Sequence, residues 1–183
     1  MYHEIDVLKL VCLKLDQANV PYMLTGSFAA NFYAIPRMTR DIDIVLAVQK
    51  SDISRLYQLF ADDFYIDRDS ISEAVNHSGM FNIIHNDSVF KIDFIIRKND
   101  PYRTLEFQRK RNVQLDNTKI WIVAPEDLII SKLFWAKDSF SEIQIRDVKN
   151  LISSITHLDY PYIREWVRKL ELNSIYERLQ ING

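Results

Sequence analysis

The sequence predicts an α/β (α+β) fold: a small mixed β-sheet core flanked by helices, followed by a helical C-terminal part. Three observations carry that prediction. Short apolar runs recur at 22–24, 41–48, 81–85 and 89–96, the later ones with β-branched residues, as strands require. Stretches with apolar residues at helical spacing lie between and before them. From Ala124-Pro125 onward the chain reads as helix after helix. The 183 residues are 48% hydrophobic and 26% charged, enough apolar material to bury a sizeable core. That length fits one domain with a helical annex, divided softly into an α/β core over 1–123 and a helical segment over 124–183 packed on it.

The elements follow in order. Residues 2–18 place Ile5, Leu8, Cys12 and Leu15 on one stripe, an amphipathic helix. Tyr22-Met23-Leu24 forms a buried strand after Pro21. Gly26-Ser27 breaks it, and a helix over 28–34 follows with Ser27 as its N-cap, ended by Pro36. A strand over 41–48 comes next, then a helix over 51–60 capped by Ser51. Strands at 81–85 and 89–96 are joined through Asn86-Asp87. A helix runs from Asp100-Pro101 through Arg109, and a second hairpin, 112–115 with 119–123, turns at Asp116-Asn117. Pro125, with Glu126 and Asp127 behind it, opens the first of four helices, over 128–137, 146–155, 162–170 and 175–179.

Composition excludes several classes. A single cysteine, Cys12, forbids an internal disulfide framework and a Cys-rich zinc site, and fits a cytoplasmic setting. The N-terminus has no basic region followed by a long apolar one, so no signal peptide is expected. No apolar run approaches the roughly 20 residues of a membrane span, and no membrane partner is expected. The formal charge of −2 provides no global field for nucleic acid. A local basic cluster, Arg97, Lys98, Arg103, Arg109, Lys110 and Arg111, could guide an RNA acceptor, although such a run is also what a solvated face looks like. The four histidines show no metal-ligand spacing.

The chemistry-bearing stretch lies between Leu24 and Leu46. In a strand, Asp41 and Asp43 project to one face while Ile42 and Ile44 point to the other. Adjacent carboxylates repel unless a cation lies between them, and an all-oxygen donor set suits Mg²⁺ or Mn²⁺. Gly26 is one of only three glycines. At a strand-to-helix junction it lets backbone approach a ligand, and the free N–H groups of the helix start, with the Ser27 hydroxyl, make a phosphate seat. Taken singly, each feature has a plain structural reading: a polar strand face, and a turn with a serine cap.

Their order and spacing are more specific. Strand, Gly-Ser, helix, then Asp-hydrophobic-Asp-hydrophobic resembles the signature of the polymerase-β-like nucleotidyltransferase superfamily, closely over residues 22–48. The resemblance implies a third carboxylate on a neighbouring strand. Asp93, between Ile92 and Phe94, is the candidate, and Asp87 is set aside because it falls in a turn. Arg37-Met38-Thr39-Arg40-Asp41 resembles the Arg-x-Ser/Thr-x-Asp-x-Asp pattern of AbiEii-like toxin–antitoxin nucleotidyltransferases. The segments around Lys132 and Arg146-Asp147 resemble later motifs of that group, with the role of Asp147 left open. The chain is shorter than many such toxins.

The resemblance implies transfer of NMP from a nucleoside triphosphate to a hydroxyl acceptor. Asp41, Asp43 and Asp93 would be the metal-holding and catalytic residues. Gly26, Ser27, Arg37, Arg40 and Lys132 would bind the nucleotide. The implied cofactor is Mg²⁺ or Mn²⁺, with NTP as substrate and an RNA acceptor and an antitoxin protein as candidate partners. Two alternatives stay open: a small-molecule (aminoglycoside-type) nucleotidyltransferase, or an inactive module that only binds a nucleotide or a partner.

Overall fold

In the computed structural model, which describes residues 3–39, 41–139 and 141–179, the first stripe becomes helix α1 (Glu4–Gln17). Its buried seam is Val7, Leu8, Val11, Cys12 and Leu15. Ile5 lies on the flank of that seam in the open first turn and is exposed. Strand β1 (Tyr22–Thr25) is buried throughout. Helix α2 (Gly26–Tyr33) starts directly at the glycine, with Thr25 at its N-cap. Ser27 is therefore inside the first turn and not its cap; the positive φ of Gly26, 66°, lets the chain turn into the helix one residue sooner than expected.

Strand β2 (Asp41–Leu46) alternates as its sequence requires, with Ile42, Ile44 and Leu46 buried. A 3₁₀ turn over Lys50–Asp52 precedes α3 (Ile53–Phe60). Ser51 sits in that turn and does not cap α3. Two elements are new relative to the sequence reading: the two-residue strand β3 (Phe64–Tyr65) and helix α4 (Arg68–His77). The Asp67 carboxylate caps α4 by accepting from the Ser70 backbone N–H at 2.7 Å. Strands β4 (Met80–His85) and β5 (Lys91–Ile96) form the expected hairpin. Helix α5 (Pro101–Gln108) and the hairpin of β6 (Arg111–Leu115) and β7 (Thr118–Ile122) follow. Helices α6 (Pro125–Ser139), α7 (Glu142–Ser154), α8 (Tyr160–Lys169) and α9 (Asn173–Glu177) follow.

The seven strands form one mixed sheet in the order β3-β4-β5-β2-β1-β7-β6. The β2–β5 and β1–β7 pairs are parallel and the others antiparallel. Ile92, Phe94 and Ile96 of β5 are buried, and Phe60 and Phe81 pack on the Phe94 ring with centroids 5.4 and 5.1 Å away. The alternate residues, Lys91, Asp93 and Ile95, point to the opposite face. One continuous apolar core runs from α1 to α9. Its polar inclusions are paired: buried Asp127 accepts from Arg109 Nε at 2.8 Å and Tyr162 Oη at 2.6 Å, and buried Glu106 accepts from Ser131 Oγ at 2.6 Å and Arg103 Nη1 at 2.8 Å. Among the described residues no helix is long and apolar enough to cross a membrane.

Candidate functional site

The central strands bring three carboxylates together on one face. In the parallel β2–β5 ladder Asp43 stands opposite Asp93, and Asp41 opposite Lys91. Because side chains alternate, Asp41, Asp43, Lys91 and Asp93 all project to the face away from Phe94. Across the antiparallel β1–β2 ladder Asp43 faces Thr25, the residue before Gly26. The glycine is thereby pressed onto the carboxylate: a Cβ at Gly26 would lie 1.9 Å from Asp43 Oδ2. No side chain other than hydrogen fits there.

Crowding shows in the electrostatics. Burial, followed by the charges of Asp93 and Asp41, raises the Asp43 carboxyl from its ordinary 3.8 to about 6, against the opposing pull of Lys132 and Lys91. Lys91 answers part of this repulsion. Its Nζ lies 2.8 Å from Asp93 Oδ2 and 3.3 Å from Asp41 Oδ1. The hydrogen bond to Asp93 raises the ammonium pKa. Lys91 went unnoticed in the sequence, although its two-residue spacing from Asp93 puts both on one strand face.

A second cluster borders the first. Asp147 of α7 is buried and receives Arg37 in a bidentate pair, Nε to Oδ1 at 2.8 Å and Nη2 to Oδ2 at 2.9 Å. Lys132 of α6 is 3% exposed and donates to Asp147 Oδ2 at 2.8 Å and to Gln144 Oε1 at 3.1 Å. Burial alone would raise the Asp147 carboxyl, but the hydrogen bonds from Arg37 and Lys132 hold it below the usual range. Burial lowers the Lys132 ammonium, opposed by Asp147. Arg37 also donates from Nη2 to Ser27 Oγ at 2.5 Å. The Asn31 side chain fixes the arginine backbone, donating to Arg37 O at 2.8 Å and accepting from Arg37 N at 3.0 Å.

Of the sequence-derived candidates, Gly26, Asp41, Asp43 and Asp93 thus meet at one place, with Lys132 within electrostatic reach of Asp43. Ser27, Arg37 and Lys132 meet through Asp147. Arg40 lies outside the described residues. Asp147, whose role the sequence left open, is the anchor that holds two cations beside the Gly-Ser turn. Gln144 and Asn31 were missed, since a lone amide on a helix gives no periodic or spacing signal.

The donor set suits a hard divalent cation: carboxylate oxygens only, crowded enough to raise one pKa, and a backbone cradle left open by Gly26. As the side chains stand, no three Asp, Glu, His or Cys among the described residues are already grouped as a metal site, and the Lys91 ammonium bridges two of the carboxylates.

Part of the basic cluster is drawn inward, while Lys98 and Arg111 stay exposed. Arg103 pairs with Glu106, Arg109 with Asp127 and Glu126, and Arg111 with Glu126 at 3.4 Å. Arg97 donates to Thr104 Oγ1 and Asn99 Oδ1, and Lys110 lies 3.9 Å from the Phe107 ring centroid. A groove of roughly 480 Å³ opens instead between α4 and β4, lined by Tyr65, Asp67, Ser70, Glu73, Met80 and Asn82 among others. It is not centred on the carboxylates but adjoins them, because Asn82 stands opposite Asp93 in the β4–β5 ladder.

No protein-family model matches the chain, and no curated protein sequence matches it. Solved structures do. An antigenic nucleotidyltransferase-like protein from Paracoccidioides brasiliensis superposes with a TM-score of 0.62 at 16% identity, over 96% of this chain and 91% of that one. ANT(2″)-Ia in complex with adenylyl-2″-tobramycin gives 0.58 at 12% identity, over 93% and 98%. The lincosamide antibiotic adenylyltransferase LnuA, lincomycin-bound, gives 0.56 at 15% identity, over 84% and 98%. Identity this low speaks to architecture alone, and the architecture it identifies, a seven-stranded mixed sheet with flanking helices, is that of the nucleotidyltransferase fold.

Proposed function

We propose that this chain is a metal-dependent nucleotidyltransferase that moves NMP from a nucleoside triphosphate to a hydroxyl acceptor. The observation that carries the reading is the row of Asp41 and Asp43 along β2, with Asp93 in register beside Asp43 and Gly26 against Asp43. A divalent cation bound to that row would polarise the α-phosphate and ease ionisation of the acceptor hydroxyl. The chain's own groups do the rest. The first turn of α2, beginning at Gly26, offers unpaired N–H groups to the terminal phosphates. Arg37, steered by Asp147 and Asn31, and Lys132 supply positive charge beside that turn. Asp93 takes the acceptor proton as the new oxygen–phosphorus bond forms. The bond to the β-phosphate bridging oxygen breaks, and pyrophosphate leaves. Arg40, directly before Asp41 in the sequence, is proposed for the same charge-neutralising set.

The test is transfer of α-labelled nucleotide in the presence of Mg²⁺ and a cell extract. The native protein labels an acceptor; Asp41→Ala and Asp43→Ala lose the label by about a hundredfold or more. Transfer by either variant at the native rate would remove the carboxylates from the mechanism and leave a nucleotide- or partner-binding module in its place.

Two acceptor classes follow from the sequence: RNA for an AbiEii-like toxin with an antitoxin partner, or a small hydroxylated molecule. The geometry favours the second. Arg103, Arg109 and Arg111 are held by internal carboxylates, while the groove beside Asp93 presents Asp67, Glu73 and Tyr65. Such a lining attracts a cationic, amine-bearing acceptor and repels a phosphate backbone. ANT(2″)-Ia and LnuA, which share the fold, have tobramycin and lincomycin adducts or complexes. Label recovered in small aminated molecules, and weakened by Glu73→Lys, supports this reading; label recovered in RNA overturns it.

A further inference from the structure

Lys91 is a cation at the centre of a site built for a different one. Its backbone lies opposite Asp41 in the β2–β5 ladder, and its ammonium reaches Asp93 Oδ2 at 2.8 Å and Asp41 Oδ1 at 3.3 Å. The two oxygens it bridges belong to the outer members of the carboxylate row, on adjacent strands. Asp43 stands beside both, two residues along β2 from Asp41 and opposite Asp93. A lysine tip is a flexible point charge on a four-carbon stem, so it can enter and leave without disturbing the sheet. Its side chain is 40% exposed, which leaves it a path to solvent, whereas Asp93 is 11% exposed and fixed by its strand.

We infer that Lys91 is an internal counter-cation of the carboxylate row, holding Asp41 and Asp93 together in the metal-free protein and leaving them when a divalent cation binds. Two consequences follow from charge and geometry alone. The carboxylates are preorganised without metal, since the ammonium offsets the repulsion that would otherwise spread the row. Divalent-cation affinity is also set lower than three bare carboxylates would give, because every binding event must displace the lysine. This rests on the reading of the row as a metal site.

The experiment separates the two. Mn²⁺ is titrated into nucleotide-free protein and free Mn²⁺ is followed by electron paramagnetic resonance. Lys91→Met is expected to bind Mn²⁺ about tenfold more tightly than the native chain, the size of effect expected when a charge in contact with the ligands is removed. Lys91→Arg, whose planar fork grips carboxylates more firmly, is expected to bind it more weakly. In the native protein, reductive methylation read by mass spectrometry should modify Lys91 more slowly than exposed Lys50 without metal, and several-fold faster once Mg²⁺ saturates. If Mn²⁺ binds the native protein and is lost in Asp43→Ala, but Lys91→Met binds no more tightly and methylation of Lys91 ignores Mg²⁺, the displacement role falls and the metal site stands. Absence of Mn²⁺ binding in every variant overturns both.

Discussion

Gly26 is set in a left-handed conformation and against a carboxylate at once. Gly26→Ala therefore costs ~1–2 kcal/mol in backbone conformation and also pushes Asp43 from its place. We expect a lower melting temperature together with a loss of nucleotide transfer that exceeds what the lost stability explains. Calorimetry and the label assay on the same preparation check this. Asp43 gives a second outcome. Its carboxyl rises from 3.8 to about 6 on folding, so the folded chain binds this proton more tightly than the unfolded one. The associated stability is present in full below pH 4 and is lost as pH climbs through 6, up to roughly 3 kcal/mol for such a rise. In metal-free buffer Asp43→Asn lacks that loss, so its melting temperature should gain on the native protein between pH 4 and 7. A constant difference across that range would mean that the Asp43 carboxyl does not titrate there.

At the scale of elements, Asp147 ties α7 to α6 through Lys132 and to the α2–β2 connection through Arg37. Asp147→Ala leaves Lys132 charged and buried without its partner, a loss of roughly 3 kcal/mol. We expect a fall in melting temperature of about 6–12 °C for a chain of this size, measurable by thermal denaturation. Helix α1 makes a quieter prediction. Cys12 is fully buried, and burial pushes its thiol up to about 12. It should resist iodoacetamide in the native protein and react once denaturant unfolds the chain. Elements with a strong period were legible in the sequence: α1, the alternating strand of Asp41 and Asp43, and the hairpins around Asp87 and Asp116. Helix α4 was not, because only Ile71 and Ala74 of its ten residues are buried and the rest reads as polar loop. Strand β3 was too short to show a period at all. The caps at Ser27 and Ser51 were misread because a serine near a helix start does not tell which residue begins the turn.

At the scale of the molecule, the pair Asp41 and Asp43 was legible because strand alternation fixes which side chains share a face, whereas Asp93 was reached only through the family resemblance. What sequence spacing could not show are the partners that meet across strands and helices. Lys91 arrives from the strand next door, and Asp147 reaches Arg37 from 110 positions away. The same limit explains the basic cluster. Arg103, Arg109 and Arg111 read as a positive surface in one dimension, and in three they meet Glu106, Asp127 and Glu126. The helical segment after residue 123 contributes Leu128, Ile129, Ile130 and Leu133 to the same apolar core as the sheet. A chain ending at residue 123 should therefore fail to give a cooperative thermal transition, since the sheet would expose that contact surface to water.

The parallel pairing of β2 with β5 also bears on how the protein comes into being. Asp41 meets Lys91 about 50 positions later in the chain, and loop closure over that distance must precede any gain from the pairing. Asp93 thus stays apart from Asp41 and Asp43 until the long-range pairing of β5 with β2 is made. If the row is the metal site proposed above, a stray divalent cation would meet only two of its three carboxylates on the growing chain, and the third would arrive with the finished sheet.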